Sequence, residues 1–469
     1  MDTKNVIAAI SLSAAVIILY GLFFAPTPPD PKQIQVEKNT ITETTDAPSL
    51  DKNEQFSKIS REEAMAEEDR ILFENDDIKG SISLTGGSID DLTFKKYTET
   101  LNGKDNVVLL NPKKVKNGYY VKTGWATNNK NIDIPNSKTI WKIEGNNKLS
   151  PNSPIKLSWT NDQNIKFEKN ISIDNQYLFT VNQSIINNSG KTYNFYPYGQ
   201  IIRNQAPEVT NFYILHEGFQ AVLDDELIEE DYDDVQEEKF SRNASKGWLG
   251  IGDKYWITSI IPPENKNFKT TFDYKKKFRA NYIASEGIEA GPNETIEEEI
   301  RIIVAAKRVK TIDGYAKSLS INKFDLVIDF GILYFLTKPM WFALDYFFKL
   351  LGNYGLAIIA VTICIRLAVF PLANYSFRSM AKMKKLAPET KRLKDTIKDK
   401  MELQKAMMQL YKREQVNPMS GCLPIIPQIF IFFSLYKVLF VTIEMRHMPF
   451  YGWIHDLSDR DPTSIFNLF

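Results

Sequence analysis

One arginine, Arg366, lies inside the apolar run Tyr354 to Leu372, which reads YGLAIIAVTICIRLAVFPL. The run is long enough to cross a hydrocarbon core as a helix. At ~1.5 Å per residue, Arg366 then lies roughly 9 Å from Leu372 and about 18 Å from Tyr354. Its guanidinium keeps its proton. Facing lipid at depth it costs at least ~2.5–3.5 kcal/mol. The residues leave two readings open. Arg366 snorkels to the near interface, or it faces a wet, protein-lined cavity and presents a fixed positive charge to something polar crossing the membrane. A second apolar run, Leu423 to Val441, carries Gln428 and Ser434 as polar positions suited to lining such a cavity. Its prolines, Pro424 and Pro427, fall in the first turns, where they cost least. Lys437, near its other end, is placed to snorkel.

Other chemistry is sparse. No C-x-x-C, HExxH or Walker A pattern occurs, and His216, His447 and His455 are too scattered to suggest a metal site. The cysteines, Cys364 and Cys422, fall in or beside the apolar runs and imply no disulfide framework. The sequence therefore predicts no catalytic residue, metal or cofactor.

Between the two runs, Asn374 to Asn417 carries twelve Lys/Arg and five Asp/Glu, a net of 12 − 5 = +7, although the whole chain is neutral. A short basic loop between two spans belongs on the cytoplasmic side. Ser376 to about Ile397 has an apolar stripe of Met380, Met383, Leu386, Leu393 and Ile397, and Pro388 should interrupt that helix. Leu403, Met407, Leu410 and Tyr411 form a second stripe at helical spacing. The two stripes predict a helical hairpin with its tip near Lys398–Met401. Its basic outer face, Lys384 and Lys385 included, suits anionic lipid headgroups or RNA, with no sequence-specific nucleic-acid readout implied. A merely solvated hairpin fits most of those lysines equally well.

Upstream, Val6 to Phe24 is an unbroken apolar run preceded by Lys4. It reads as an uncleaved N-terminal anchor, amino end inside, with a cleaved signal as the alternative. Residues 25–74 are too polar to bury a core and read as a linker, with room for a short helix around Glu62–Arg70. From about Phe73 to Lys310 the periodicity is two. Ile165, Phe167, Ile171 and Ile173 share one strand face, with a bend suggested at Lys169–Asn170. Tyr177, Phe179, Val181 and Ile185 share the next face. Turn signals stand at Thr85–Ser88, Asn161-Asp162, Asp174-Asn175 and Asn187–Gly190. Many short strands predict a large antiparallel β-sandwich, with Trp125, Trp141, Trp159, Trp248, Tyr255 and Trp256 in its core. The acidic run Leu223 to Glu238 holds ten acids and no base and reads as a solvated loop. Lys338 to Leu351 reads as an amphipathic helix, either in the outer interface or buried against the sandwich.

The fold class is thus a multidomain membrane protein. An anchor (1–24) and linker (25–74) precede a β-sandwich (75–320) on the outer side. An amphipathic helix (321–353) and the arginine-bearing span (354–373) follow. A cytoplasmic helical hairpin (374–417), a second span (418–443) and an outer loop with the start of a further span (444–469) complete the order.

RLAVFPL with Arg366, SMAKMKKLAPE at Ser379–Glu389, MMQLYKREQVNPMSGCLPIIPQ at Met407–Gln428 and PFYGWIHDLSDRDP at Pro449–Pro462 resemble the YidC/Oxa/Alb family of inner-membrane insertases. TGGSIDDLTF at Thr85–Phe94 and SKGWLGIGDKYW at Ser245–Trp256 are weaker matches. The resemblance implies a hydrophilic groove, open to the cytoplasm and to lipid, in which Arg366 draws in the polar, acidic tail of a client. It implies nascent membrane proteins as clients. It also implies cooperation with the Sec translocon, the ribosome and the signal-recognition pathway, and a multi-pass place in the bacterial inner membrane. Phe432 matches a client-contacting position, and Ile429 lies one turn away on that face. The hairpin resembles the element that receives clients. The sandwich resembles the galactose-mutarotase-like fold of Gram-negative members, which keeps a membrane-anchored periplasmic carbohydrate-binding or mutarotase-like protein as the alternative function. Relatives carry five core spans, so the resemblance also leads us to expect a chain continuing beyond Phe469.

Overall fold

The computed structural model describes residues 59–208, 215–264, 266–416 and 424–459. The expected anchor, most of the linker, the Asn417–Cys422 motif and the final apolar stretch lie outside the described residues.

Order begins earlier than the composition suggests. Ser60 Oγ accepts the Glu63 N–H at 3.1 Å, and Glu63 Oε2 accepts the Ser60 N–H at 2.8 Å. This reciprocal cap starts helix α1, Arg61–Ala66. Arg70–Glu74 is already a strand, with Ile71 and Phe73 turned inward. The linker boundary at residue 74 is therefore too late, because a five-residue strand of alternating character is hidden at the end of a charged stretch.

Strands between Arg70 and Ala306 form one eleven-stranded and one nine-stranded sheet. The sheets share a core. Phe73 of the first meets Phe179 of the second with ring centres 5.2 Å apart, Phe195 meets Phe167 at 5.9 Å, and Phe272 meets Phe219 at 5.1 Å. The hairpin of Ile165–Ile173 and Leu178–Asn187 pairs Phe167 with Ile185, Ile171 with Val181 and Ile173 with Phe179, all buried. Its turns use asparagine and aspartate side chains as local acceptors. Asn161 Oδ1 takes the N–H groups of Gln163 and Ile165, and Asp174 Oδ1 those of Gln176 and Leu178. At Thr85–Ser88 the backbone enters the left-handed region at Gly86 (φ 85°) and Gly87 (φ 63°), which glycine adopts without a Cβ clash.

Two expectations fail here. Lys169–Asn170 makes no bend. Period two runs straight through, so Lys169 points into the core between Phe167 and Ile171. The acidic run is no loose loop. Gly218–Leu223 and Glu226–Glu230 form a hairpin turning at Asp224 and Asp225 (φ 49° and 73°), followed by helix α2, Tyr232–Glu237. Leu223, Ile228, Tyr232 and Val235 are buried, and most of the acids face water. Four inward apolar side chains suffice to fold a segment whose net charge suggests otherwise. Of the aromatic set, Trp125, Trp141 and Trp248 are buried, while Trp159, Tyr255 and Trp256 are half-buried against the core.

Beyond the sheets come α3 (Val309–Ser318) and α4 (Tyr334–Leu351). Helix α4 starts a turn before Lys338, which leaves Pro339 inside it. Thr337, Met340, Trp341 and Leu344 are buried, whereas Phe335, Phe342, Tyr346 and Leu350 are exposed. Gly352 (φ 68°) ends α4, and the Asn353 side chain, accepting the Leu356 N–H at 3.1 Å, opens α5, Tyr354–Lys385. Then follow α6 (Ala387–Thr396), α7 (Lys400–Arg413) and α8 (Ile425–Val441). Helix α5 has 32 residues and is the one described helix long and apolar enough to cross a membrane. It is ~48 Å long at ~1.5 Å per residue, and it passes residues 373–374 without a break. The apolar run and the first basic turns are one rod.

Candidate functional site

The structure brings Arg366 of α5 and Gln428 of α8 together: Arg366 Nη1 donates to Gln428 Oε1 at 3.2 Å. The guanidinium remains exposed and the amide half-buried. A neutral amide oxygen accepts one of the guanidinium's five N–H groups, and among the described residues no carboxylate forms a salt bridge with Arg366, so there its charge is uncompensated. The arginine is thus oriented but not neutralised. That is the arrangement a site needs if it is to attract an anionic group.

Around this pair both helices present apolar side chains outward. Ile359, Ile363, Leu367 and Phe370 on α5 recur at three- and four-residue spacing and are all exposed. On α8, Ile429 (59 % exposed) and Phe432 (67 %) flank the face that carries Gln428. A polar spot between greasy faces can therefore hold a polar group while an apolar segment lies alongside.

The other nominated α8 position behaves differently. Ser434 is fully buried and its hydroxyl finds no partner among the described residues, so it lines no open groove. Lys437 does not snorkel either. It is buried, and its Nζ meets Asp329 Oδ2 at 2.7 Å. Asp329 went unnoticed in the sequence because it lies 108 residues from its partner and belongs to no motif. Glu444 was missed too. It sits in the turn after α8, and its Oε1 accepts the Val309 N–H at 3.0 Å, capping the first turn of α3. Burial pushes the Glu444 carboxyl up to about 7.

The hairpin residues divide between two elements. Met380, Met383, Lys384 and Lys385 ride the last turns of α5, and Met407 and Tyr411 lie on α7. The break falls at Leu386, with Pro388 in the first turn of α6, and the tip at residues 397–399. Arg413 clamps α7 to α6 through Glu389 at 2.8 Å. Leu403, Met407, Met408 and Tyr411 line a groove of about 330 Å³ rimmed by Lys394 and Lys400. Lys384 and Lys385 are exposed.

Two family models cover the chain in succession. The YidC periplasmic domain matches residues 70–343 and the 60Kd inner membrane protein matches 346–469. Together with the fold they define an inner-membrane protein that carries a large periplasmic sheet module ahead of a helical membrane region. The chain is 67 % identical over 470 residues to a membrane protein insertase YidC of Pelagibacter ubique (strain HTCC1062), covering all of this chain and 84 % of the relative. It is 39 % identical over 502 residues to the protein of that name from Brucella melitensis, covering all of this chain and 82 % of the relative. The chain belongs to the YidC family of membrane protein insertases. It inserts membrane proteins; it is not an enzyme. Among solved structures, a galactose mutarotase related enzyme from Lactobacillus acidophilus aligns with 51 % of this chain and 98 % of its own, at 10 % identity and a TM-score of 0.36. A TM-score that low does not define the fold of the sandwich.

Proposed function

We propose that insertion runs through the Arg366–Gln428 pair. A client's polar, acidic tail is drawn to the Arg366 guanidinium while its apolar segment slides into lipid along Ile429 and Phe432. The observation that carries this reading is a permanent cation held by a neutral amide, exposed between apolar helix faces. Unsatisfied polar groups in hydrocarbon each cost several kcal/mol. A wet polar spot part-way along the helices shortens the dry path a tail must cross. Burial of the client's apolar helix then drives the step, and no nucleotide is required.

In this reading α5 and α8 both span the inner membrane, residues 1–24 anchor the chain with the amino end in the cytoplasm, and the sandwich is periplasmic. The hairpin of α6 and α7, with the end of α5, is cytoplasmic, as its net charge of +7 supports. Its Met407–Tyr411 face receives clients, and Lys384 and Lys385 face anionic lipid. The Sec translocon, the ribosome and the signal-recognition pathway are the partners that deliver or share clients.

The test is Arg366→Ala in proteoliposomes with a client bearing an acidic exported tail. Two unit charges ~4 Å apart at an effective dielectric of ~20 interact by about 4 kcal/mol. Loss of the cation should therefore lower insertion at least tenfold, while the variant remains folded in the bilayer. Unchanged insertion would overturn the reading.

A further inference from the structure

We infer that Asp329 is a positioning residue for insertion: by holding Lys437 it sets the rotation of α8, so that Gln428 faces Arg366. This rests on the proposed role of the Arg366–Gln428 pair.

The argument starts from helix geometry. Gln428 and Lys437 are nine residues apart on α8. At ~3.6 residues per turn that is about two and a half turns, so the two side chains leave the helix on opposite sides, ~13.5 Å apart along its axis. Whatever fixes the direction of Lys437 therefore fixes the direction of Gln428. Lys437 is fixed firmly. Its side chain is 4 % exposed and its Nζ lies 2.7 Å from Asp329 Oδ2. That carboxylate is tied to the sandwich in turn, since Asp329 Oδ2 also accepts the His216 N–H at 3.1 Å. The chain turns at Gly331 (φ 70°) directly beneath the lysine. A Cβ built there would stand 3.4 Å from Lys437 Cε. An ion pair in a confined site has one good geometry, and breaking it strands a buried charge.

The depth of α8 is held independently. Past its end, Glu444 caps α3 through the Val309 N–H and Arg446 donates to the Glu99 carbonyl oxygen at 3.1 Å, and in its last turn Phe440 has Lys254 of the sandwich 3.9 Å from its ring centre. These contacts fix where α8 ends on the outer side. Rotation is set on the face turned away from Gln428, where Ser434, Val438 and Val441 are buried beside Lys437, and within that face the Lys437–Asp329 pair is the directional contact. At the other end, the Arg366–Gln428 bond is a single 3.2 Å contact with an exposed partner. It is too weak to orient a helix alone, because a net hydrogen bond is worth about 1 kcal/mol. The sandwich thus acts on the groove at a distance, through a rigid helix and one ion pair.

The experiment measures insertion by the full chain in proteoliposomes of two clients that differ only in an acidic or a neutral exported tail. The readout is the ratio of their insertion. Asp329→Asn and Lys437→Met are each expected to lower that ratio at least about fivefold. The charge-reversed pair, Asp329→Lys with Lys437→Asp, is expected to restore it. The double variant Asp329→Asn with Lys437→Met removes both charges of the buried pair, a change proteins accept far better than the loss of one partner, so it remains readable, with the same lowered ratio expected, if either single variant fails to accumulate. A purely structural role would lower both clients equally and leave the ratio intact, and that result overturns the inference. Arg366→Ala is measured alongside. If it abolishes the ratio and the Asp329 and Lys437 variants do not, this inference alone fails. If Arg366→Ala also leaves the ratio intact, the proposed function fails first.

Discussion

The nine-stranded sheet and helix α5 each carry one cation in an apolar stretch, and they treat it in opposite ways. Lys169 lies in the sandwich core, with its Nζ donating to the Thr123 carbonyl oxygen at 2.7 Å and standing 5.0 Å from the centre of the Trp141 ring. Burial drives its pKa down to about 7, so the core tolerates it by letting the charge go. Arg366 cannot do that. It stays charged, exposed, and bonded to an amide that neutralises nothing. A lysine among inward strand residues is absorbed into packing. An arginine among outward helix residues is kept available. The same contrast runs through the rest of each region. Strand side chains such as Phe167, Phe179 and Ile185 are fully buried, and α5 and α8 turn Leu367, Phe370 and Phe432 outward.

The sharpest way to break this comparison is to cut a side chain on each side of it. Phe179→Ala should destabilise the sandwich by about 3–5 kcal/mol, the usual cost of a buried phenylalanine, and lower its unfolding midpoint in a thermal scan. Phe432→Ala should leave that midpoint unchanged within about 0.5 kcal/mol and reduce client insertion. The reverse pattern would show the roles misassigned.

A smaller effect is expected at Lys169 itself. The unfolded chain holds that proton up to the ordinary lysine range and the folded chain releases it near 7. Wild-type stability therefore rises with pH from about 7 towards about 10.5 and carries the whole penalty below 7. Lys169→Met should raise the unfolding midpoint most at neutral and lower pH, with the gain shrinking as pH rises, and should leave insertion unchanged. Glu444 gives the opposite sign. Its folded carboxyl, pushed up to about 7, holds a proton that the unfolded chain has released, so stability falls as pH rises from about 4.5 to 7. Glu444→Gln should flatten that part of the profile. The smallest effect is expected at the hairpin, where Arg413 and Glu389 are both exposed. Arg413→Ala should leave the unfolding midpoint unchanged, as is usual for exposed pairs.

These regions also differ in how much could be read from sequence. The faces of Ile165–Ile173 and Leu178–Asn187, the asparagine turns and the interruption at Pro388 were legible because each is a local signal. Arg366 and Gln428 were legible as isolated oddities in apolar runs. Their contact was not, because nothing in either run fixes helix rotation. Lys169 was misread as a bend because a lysine interrupts an apolar alternation; only the depth of the core around it keeps the strand straight. Lys437 was misread as a snorkelling residue because its partner, Asp329, lies 108 residues away in an unremarkable stretch. The polarity of Ser434 suggests a groove position, but tertiary packing buries it.

Photo-cross-linking from α8 tests the central claim most directly. A photoreactive residue is placed at Phe432 or at Ser434, and an arrested client with an acidic tail is offered to the protein in vesicles. The account expects strong cross-linking from position 432, little from 434, and loss of the 432 product when Arg366→Ala is introduced or the tail is made neutral. Equal cross-linking from 432 without the arginine, or a dominant product from 434, would contradict it.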